Sequence, residues 1–203
     1  MTQVLAPIQL DLAAQMLRDH RLVAFPTDTV YGLGALAFDG PAVLKLYAAK
    51  ERPPEKAIPI LIADIADLDQ VASDVPPLAY RLMETFWPGA LTIVVPKQRR
   101  IPIEVSTTNT VAVRMPDLDL ARELMRLAGP LAVTSANRSA GLNSCTAQEV
   151  FEQLAGRIDA IVDGGETPGG VPSTVVDCTR AAPAILREGA WADRVREFLS
   201  RAL

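Results

Sequence analysis

The chain has 203 residues, of which 49% are hydrophobic and 22% charged, so it can bury a sizeable core and is not intrinsically disordered. Its formal net charge of −4 argues against a broad basic surface that tracks nucleic acid, but it leaves room for a local cationic pocket. Because no apolar run reaches membrane-spanning length and no secretory leader is recognisable, we expect a cytoplasmic protein without a membrane partner.

Apolar periodicity and helix-breaking residues divide the first half of the chain into alternating helices and strands. The Pro53-Pro54 pair closes one expected helix, and Pro88 with Gly89 closes another. The expected helices span residues 8–20, 40–52 and 76–87. The expected strands span residues 22–25, 33–38, 58–63, 91–95 and 110–115.

The second half of the chain continues this pattern. Thr146 and Glu149 form a capping-box signature at a helix start, and the Gly- and Pro-rich residues 164–173 are expected to form a flexible loop. Further helices are expected over residues 119–128, 148–156 and 191–203. Further strands are expected over residues 131–134, 158–163, 174–177 and 184–188.

The order of these elements indicates the fold class. Adjacent strand pairs occur beside helix-separated ones, which favours an α/β fold with a twisted open sheet of mixed parallel and antiparallel strands and flanking helices. No repeat and no long linker divides the chain, so we expect a single domain over residues 1–203.

Two residue counts limit the chemistry. Cys145 and Cys178 show no metal-ligand or redox spacing and are expected to be free thiols in a reducing compartment. The single histidine, His20, ends an amphipathic stretch where a helix C-terminus favours a cation, so we favour that role over catalysis. The chemistry must then rest on Lys, Arg, Thr, Ser, Asn and carboxylate side chains, a set that suits phosphate and carboxylate ligands.

Several polar motifs are each open to two interpretations. Lys50 and Arg52 stand at a helix end, where they can converge on a polyanion or simply form a solvated helix terminus. The stretch TSANRSAG, residues 134–141, follows a strand directly and could orient a phosphate, ribose or carboxylate, or form an ordinary Asx or Ser turn. Arg114 and Arg187 each end an apolar run, where an arginine reaches either a pocket mouth or solvent.

Two further motifs favour ordinary structure when taken alone. Ser173 and Thr174 stand at a strand entrance after residues 164–173, a loop that contains neither a P-loop nor a Rossmann fingerprint. The basic stretch KQRR, residues 97–100, could contact RNA, but an exposed turn is the stronger interpretation in an acidic chain.

Taken together and in this order, the motifs resemble those of the YrdC-like family of threonylcarbamoyl-AMP synthases. The matching stretches are PTDTVYGLG, KERP, PGALTIVV, VAVRMP, TSAN, ST followed by VVD, and LREG. They run from about Val23 to Gly189, nearly the whole chain, and the resemblance is to the short form without an additional C-terminal domain.

The resemblance implies a fold, a reaction and partners. The fold would surround a deep, positively lined cavity. The reaction would be the condensation of L-threonine, bicarbonate (or CO₂) and ATP, with Mg²⁺ on the ATP, into threonylcarbamoyl-AMP and pyrophosphate. Proteins of the tRNA threonylcarbamoyl transferase complex would then pass the threonylcarbamoyl group to a tRNA adenosine.

The resemblance also implies roles for ten residues of this chain. The catalytic, phosphate-binding pair would be Lys50 and Arg52, both expected at solvent-facing positions, so that replacing either by Ala would leave the fold intact. The ATP-binding set would comprise Lys50, Arg52, Thr110, Asn137 and Arg187. The L-threonine-binding set would comprise Thr27, Tyr31, Arg114, Ser135 and Ser173, with Arg114 on the carboxylate and Tyr31 closing the pocket. No protein metal ligand is implied, and Asp28 could equally cap a turn.

This chain departs from the family pattern at two loops. Ala57 stands where relatives often have the proline of K-P-L-P, and Cys145 stands where many have the proline of S-P-T. Both loops could shape the pocket. The Lys-Arg pair, the SAN stretch and the ST pair are intact.

Three other functions remain open on the sequence alone. An RNA-binding protein would bind in a salt-sensitive way, but the chain lacks a basic stripe with aromatic stacking residues. A carbamoyl-adenylate domain, as in hydrogenase-maturation proteins, would come with zinc-finger-like cysteines, which are absent here. A divergent paralogue would bind nucleotide without synthase activity.

Overall fold

The computed structural model describes residues 1–53, 56–139, 141–168 and 170–202, which form one ten-stranded open sheet with helices on its faces. Pro54 lies outside the described residues, as do Ala140, Gly169 and Leu203, which fall within the ranges 134–141, 164–173 and 191–203 given above. The strands are β1 (Gln3–Leu5), β2 (Val23–Phe25), β3 (Gly32–Leu36), β4 (Ile60–Leu61), β5 (Leu91–Pro96), β6 (Thr110–Arg114), β7 (Leu131–Ser135), β8 (Ala160–Val162), β9 (Thr174–Asp177) and β10 (Ala184–Arg187). The helices are α1 (Leu10–Arg18), α2 (Gly40–Lys50), α3 (Leu68–Val71), α4 (Pro77–Phe86), α5 (Asp119–Ala128), α6 (Ala147–Leu154) and α7 (Ala192–Ala202).

The sheet has the mixed topology that the element order predicts. Its strand order is β1-β8-β2-β3-β7-β4-β6-β5-β9-β10. The parallel neighbours are β1 with β8, β8 with β2, β4 with β6, and β5 with β9. The other neighbours are antiparallel. The predicted fold class is therefore confirmed.

Differences from the expected elements have local physical reasons. Helix α1 begins only at Leu10, because a 3₁₀ turn over Pro7–Gln9 precedes it. The strand expected over 58–63 is regular only at β4, whereas Ile58 donates to a loop carbonyl at 3.0 Å. Strand β1 and helix α3 were not predicted, because three or four residues are too few to show a period. The capping box of Thr146 and Glu149 opens α6 as expected.

Side-chain alternation along the strands separates two hydrophobic clusters on opposite faces of the sheet. On β7, Ala132 faces the larger cluster, whereas Leu131 and Val133 face the smaller one. The smaller cluster includes buried residues of α1 and α5, which cover that face near β2, β3, β8 and β7. Farther along the same face, over β6, β5 and β9, the outward positions line a cavity instead of packing against a helix.

No helix within the described ranges is both long enough and apolar enough to cross a membrane.

Candidate active site

A cavity of about 350 Å³ lies on this part of the sheet face. Its floor consists of alternate residues of the strands, including Thr92 on β5, Ala112 on β6 and Val175 on β9. On these same strands Ile93, Val113 and Val176 point to the core on the other face, so the pleat of the sheet decides which residues reach the cavity.

Seven of the ten residues implied by the resemblance line this one cavity: Thr27, Tyr31, Arg52, Arg114, Ser135, Ser173 and Arg187. They come from six separate parts of the chain, and the fold brings them together. The other three, Lys50, Thr110 and Asn137, are not among its lining residues.

The turn after β2 is built by a threonine hydroxyl. Thr27 Oγ1 donates to the Val30 carbonyl at 2.7 Å and accepts from the Val30 amide at 3.3 Å. This arrangement closes the turn, so the PTDT stretch interrupts two apolar runs for a local structural reason. Tyr31, which follows the turn, is fully buried, and its hydroxyl donates to the Gly165 carbonyl at 2.7 Å. Burial raises the pKa of Tyr31 to about 12, so its hydroxyl stays protonated and tethers the loop after β8.

Arg114 ends β6 and is held by three acceptors. Its Nε donates to the Gly89 carbonyl at 2.9 Å, its Nη1 to Thr29 Oγ1 at 3.0 Å and its Nη2 to Asp28 Oδ1 at 2.5 Å. Burial lowers the pKa of Arg114, and the adjacent Asp28 carboxylate opposes that shift. Asp28 is therefore the counter-ion of Arg114 and does not simply cap a turn. Two of the five guanidinium N–H groups remain for a ligand.

Arg187, at the end of β10, reaches back to the residue before β9. Its Nε donates to the Ser173 carbonyl at 2.9 Å, and its Nη2 donates to Ser173 Oγ at 3.0 Å. Ser173 Oγ also lies 2.7 Å from Thr92 Oγ1. Thr92 lines the cavity but was missed by the sequence analysis, because LTIVV has the composition of a buried strand.

The position of Lys50 differs from the solvent-facing one expected from the sequence. Lys50 is only 2% exposed, and its ammonium donates to the backbone carbonyls of Ser135 and Asn137 instead of facing solvent. Burial and then the charge of Arg52 lower the pKa of Lys50 to about 7, while the two carbonyls favour its protonated form. Lys50 therefore lies behind the Ser135 wall of the cavity.

Asn137 is likewise buried beside the cavity wall. Its Nδ2 donates to the carbonyls of Arg138 and Gly141, both at 2.8 Å. Its Oδ1 is the one buried side-chain polar atom without a hydrogen-bond partner in the described part of the chain. That oxygen is thus an acceptor open to a donor. Thr110, in contrast, bonds to Thr108 Oγ1 at 2.9 Å at the start of β6.

The cavity is electrostatically positive. Burial lowers the pKa of Arg187, and the nearby Arg52 lowers it further; Arg187 in turn lowers the pKa of Arg114. The positive charges of these guanidinium groups therefore repel one another across the cavity. Among the residues the structure describes, no aspartate or glutamate lines the cavity, and Asp28 reaches Arg114 from beside it. Such a site favours an anionic ligand.

The two loops that depart from the family pattern both lie near this site. Arg52 Nη2 donates to the Ala57 carbonyl at 3.1 Å, and Ala57 itself lines the cavity. The Cys145 carbonyl accepts from the Thr167 amide at 2.8 Å, which connects the start of α6 to the loop after β8. At both positions the contact described is made by the backbone carbonyl and not by the side chain.

His20 and the basic stretch 97–100 lie apart from the cavity lining. His20 follows α1, and its Nδ1 bonds to Asp39, the residue that caps α2. Arg100 stacks over the Phe38 ring at 4.1 Å, and Lys97 Nζ donates to the Ser106 carbonyl at 2.6 Å. These two cations of the basic stretch are engaged within the protein, which weakens the RNA-binding interpretation.

Comparison with known proteins shows to which family the chain is similar. The model of a family described as "Telomere recombination", which groups Sua5, YciO and YrdC proteins, matches residues 15–189. The threonylcarbamoyl-AMP synthase of Pyrococcus abyssi is 44% identical over 180 residues, which are 88% of this chain and 53% of that protein. The threonylcarbamoyl-AMP synthase of Pseudomonas aeruginosa is 36% identical over 166 residues, which are 81% of this chain and 90% of that protein.

A solved structure shares the fold closely. The crystal structure of P. abyssi Sua5 complexed with L-threonine matches with a TM-score of 0.93 and 40% identity, covering 98% of this chain and 60% of that one. The chain spans about half the length of the P. abyssi synthase. The resemblance drawn from the ordered motifs is confirmed, and this chain belongs to the Sua5/YciO/YrdC family.

Proposed function

We propose that this chain condenses L-threonine, bicarbonate (or CO₂) and ATP into threonylcarbamoyl-AMP and pyrophosphate. The observation that carries the proposal is the convergence of Arg52, Arg114 and Arg187 on one cavity without an acidic lining residue in the described part of the chain. Guanidinium groups suit both a triphosphate and an amino-acid carboxylate, because their paired N–H donors match two oxygens at once. The names of the P. abyssi and P. aeruginosa relatives support the same reaction.

The positions of the three arginines, Arg52, Arg187 and Arg114, suggest where each substrate binds in the cavity. Arg52 lowers the pKa of Arg187, and Arg187 in turn lowers the pKa of Arg114, so Arg187 lies between the other two arginines and Arg52 lies at one end. We assign the ATP phosphates to this end. Arg114 stands at the other end with Ser173 and Thr27, and we assign L-threonine there, where two guanidinium N–H groups remain for its carboxylate. P. abyssi Sua5, which holds L-threonine in its crystal structure, supports an amino-acid site in this fold.

The residue types fit the proposed chemistry. The threonine amine and bicarbonate give a carbamate and water (with CO₂, a carbamate and a proton), and one carbamate oxygen attacks the ATP α-phosphorus. The new O–P bond forms as the bond from that phosphorus to the bridging oxygen breaks, and pyrophosphate leaves. Phosphoryl-type transfer depends mainly on positioning and charge neutralisation, which fixed arginines provide without a histidine.

We propose that Mg²⁺ enters this site as a companion of ATP. Nowhere in the described ranges do three or more His, Cys, Asp or Glu side chains gather in a way that could hold a metal ion. Asp28, the carboxylate beside the cavity, is already paired with Arg114. We therefore propose that phosphate oxygens, and not a protein cage, hold the ion.

The product determines the class of partner. Threonylcarbamoyl-AMP is a mixed anhydride, so an acceptor must consume it by attack at the carbamoyl carbon with loss of AMP. We propose that proteins of a tRNA threonylcarbamoyl transferase complex are that consumer, with a tRNA adenosine as the acceptor.

Pyrophosphate release tests the proposal. Purified protein is incubated with ATP, Mg²⁺ and bicarbonate, with and without L-threonine. We expect release to require L-threonine and to be much weaker with L-serine or L-alanine. Arg52→Ala should abolish release, whereas Arg201→Ala, an arginine on the exposed side of α7, should not. Release that ignores L-threonine, or none while ATP still binds, would favour a nucleotide-binding paralogue.

A further inference from the structure

Thr92 carries a hydroxyl that its position in the sheet does not require. It lies in β5 between Leu91 and Ile93, which are fully buried in the core on the opposite face. Thr92 itself is 2% exposed and lines the cavity. A valine would have nearly the same shape and equal strand preference, so the hydroxyl needs another explanation.

The contacts of this hydroxyl define a short polar chain. Within the described part of the molecule, Thr92 Oγ1 has one hydrogen-bond partner, Ser173 Oγ at 2.7 Å. Ser173 Oγ has one further partner, Arg187 Nη2 at 3.0 Å. Arg187 can only donate, so Ser173 Oγ must accept from it. Hydrogen bonds thus link Arg187 to Ser173 and Ser173 to Thr92.

The number of hydroxyl protons determines how many hydrogen bonds Thr92 and Ser173 can donate to a ligand. The two hydroxyls have two protons, and one of them forms the bond between Ser173 and Thr92. Whichever hydroxyl donates in that bond, the other keeps one proton that no protein acceptor takes among the described residues. The pair therefore presents a single O–H donor to the cavity, and Arg187 orients it.

We propose that Thr92 is a positioning residue for L-threonine, acting through Ser173. This inference rests on the proposed function and deepens it. Thr92 fixes the rotamer of the Ser173 hydroxyl, so that the pair donates one hydrogen bond to a carboxylate or hydroxyl oxygen of the amino acid. Without Thr92, Arg187 is the one remaining partner of the Ser173 hydroxyl among the described residues, and the hydroxyl proton is free to rotate out of this alignment.

Calorimetric titration of L-threonine into four proteins tests the proposal: wild type, Thr92→Val, Thr92→Ser and the matched control Thr85→Val. Thr85 lies on α4, where its hydroxyl donates to the Arg81 carbonyl at 2.8 Å. We expect Thr92→Val to weaken L-threonine binding about tenfold, the size of one aligned hydrogen bond. Thr92→Ser and Thr85→Val should bind nearly as wild type, and ATP affinity should stay unchanged in all four proteins.

A double-mutant cycle separates positioning from general disruption. If Thr92 acts through Ser173, Thr92→Val combined with Ser173→Ala should bind L-threonine no more weakly than Ser173→Ala alone. Additive losses would overturn the proposal, as would unchanged affinity in Thr92→Val, an equal loss of ATP affinity, or failure of Thr92→Ser to restore binding. If Thr92→Val does not fold, Thr92→Ala takes its place in the cycle. Wild-type protein that does not bind L-threonine at all would overturn the proposed function itself, and this inference with it.

Discussion

The ammonium group of Lys50 donates a hydrogen bond to the backbone carbonyl of Asn137, 87 residues farther along the chain. A second bond reaches the Ser135 carbonyl, and the Ser139 amide donates back to the Lys50 carbonyl at 3.0 Å. One buried cation thus holds the last turn of α2 against the loop after β7. Lys50 has a structural part in the free protein, besides any contact with phosphate.

Replacing Lys50 by Ala should therefore destabilise the fold, contrary to the expectation from sequence. The change removes the donor of two carbonyls, and leaving a buried polar group unsatisfied costs about 1–3 kcal/mol. Thermal unfolding measures this loss. Arg52→Ala is the comparison variant, because Arg52 is half-buried at the cavity and should affect pyrophosphate release more than the melting temperature. A Lys50→Ala protein as stable as wild type would contradict the tether.

The shifted pKa of Lys50 makes its contribution to stability depend on pH. Burial and Arg52 lower this pKa from 10.5 to about 7. Between these values the unfolded chain holds a proton that the folded chain has released, so stability rises with pH across this window. Below pH 7 Lys50 is protonated in both the folded and the unfolded protein, so its contribution to stability no longer changes with pH. We expect wild type to gain stability relative to Lys50→Met between pH 7 and 10 in urea titrations. Parallel curves for the two proteins would show that the pKa is not lowered.

The sequence predicted the cavity better than it predicted how its residues are held. The ordered motifs assigned Arg114 and Ser173 to one pocket, and both line the cavity, while their binding roles stay predictions. The partners that hold them are distant in sequence: Asp28 pairs with Arg114 across 86 residues, and Thr92 pairs with Ser173 across 81. No local pattern reports such contacts. The burial of Lys50 was missed for the same reason, since its acceptors belong to the loop after β7.

The ion pair between Asp28 and Arg114 should contribute to both stability and ligand binding. Its two side chains are only 13% and 7% exposed, respectively, and removing one partner of a buried pair typically costs about 3–5 kcal/mol. Asp28→Ala should therefore unfold at lower urea and bind L-threonine more weakly, because Arg114 loses one of its three acceptors. Asp28→Asn keeps an oxygen at this place and should recover most of the L-threonine affinity. Equal affinity in Asp28→Ala and wild type would show that the other two acceptors suffice.

Gly189 lets the end of β10 approach the strand entrance that carries Ser173. A Cβ on Gly189 would lie 2.3 Å from the Ser173 carbonyl carbon, closer than real Cβ contacts, so the backbone must move. Gly189→Ala should cost about 1–3 kcal/mol, as overpacking does. It should also displace Ser173 from Arg187 and so weaken L-threonine binding.

Gly156→Ala is the control for this prediction. A Cβ there meets nothing within 4 Å, but its φ of +79° strains any residue other than glycine. That variant should lose stability in urea titrations and keep its affinity for L-threonine. If both variants bind L-threonine like wild type, the close approach of Gly189 serves the fold alone. If only Gly189→Ala loses affinity, the position of the Ser173 backbone is set by the glycine that packs against it.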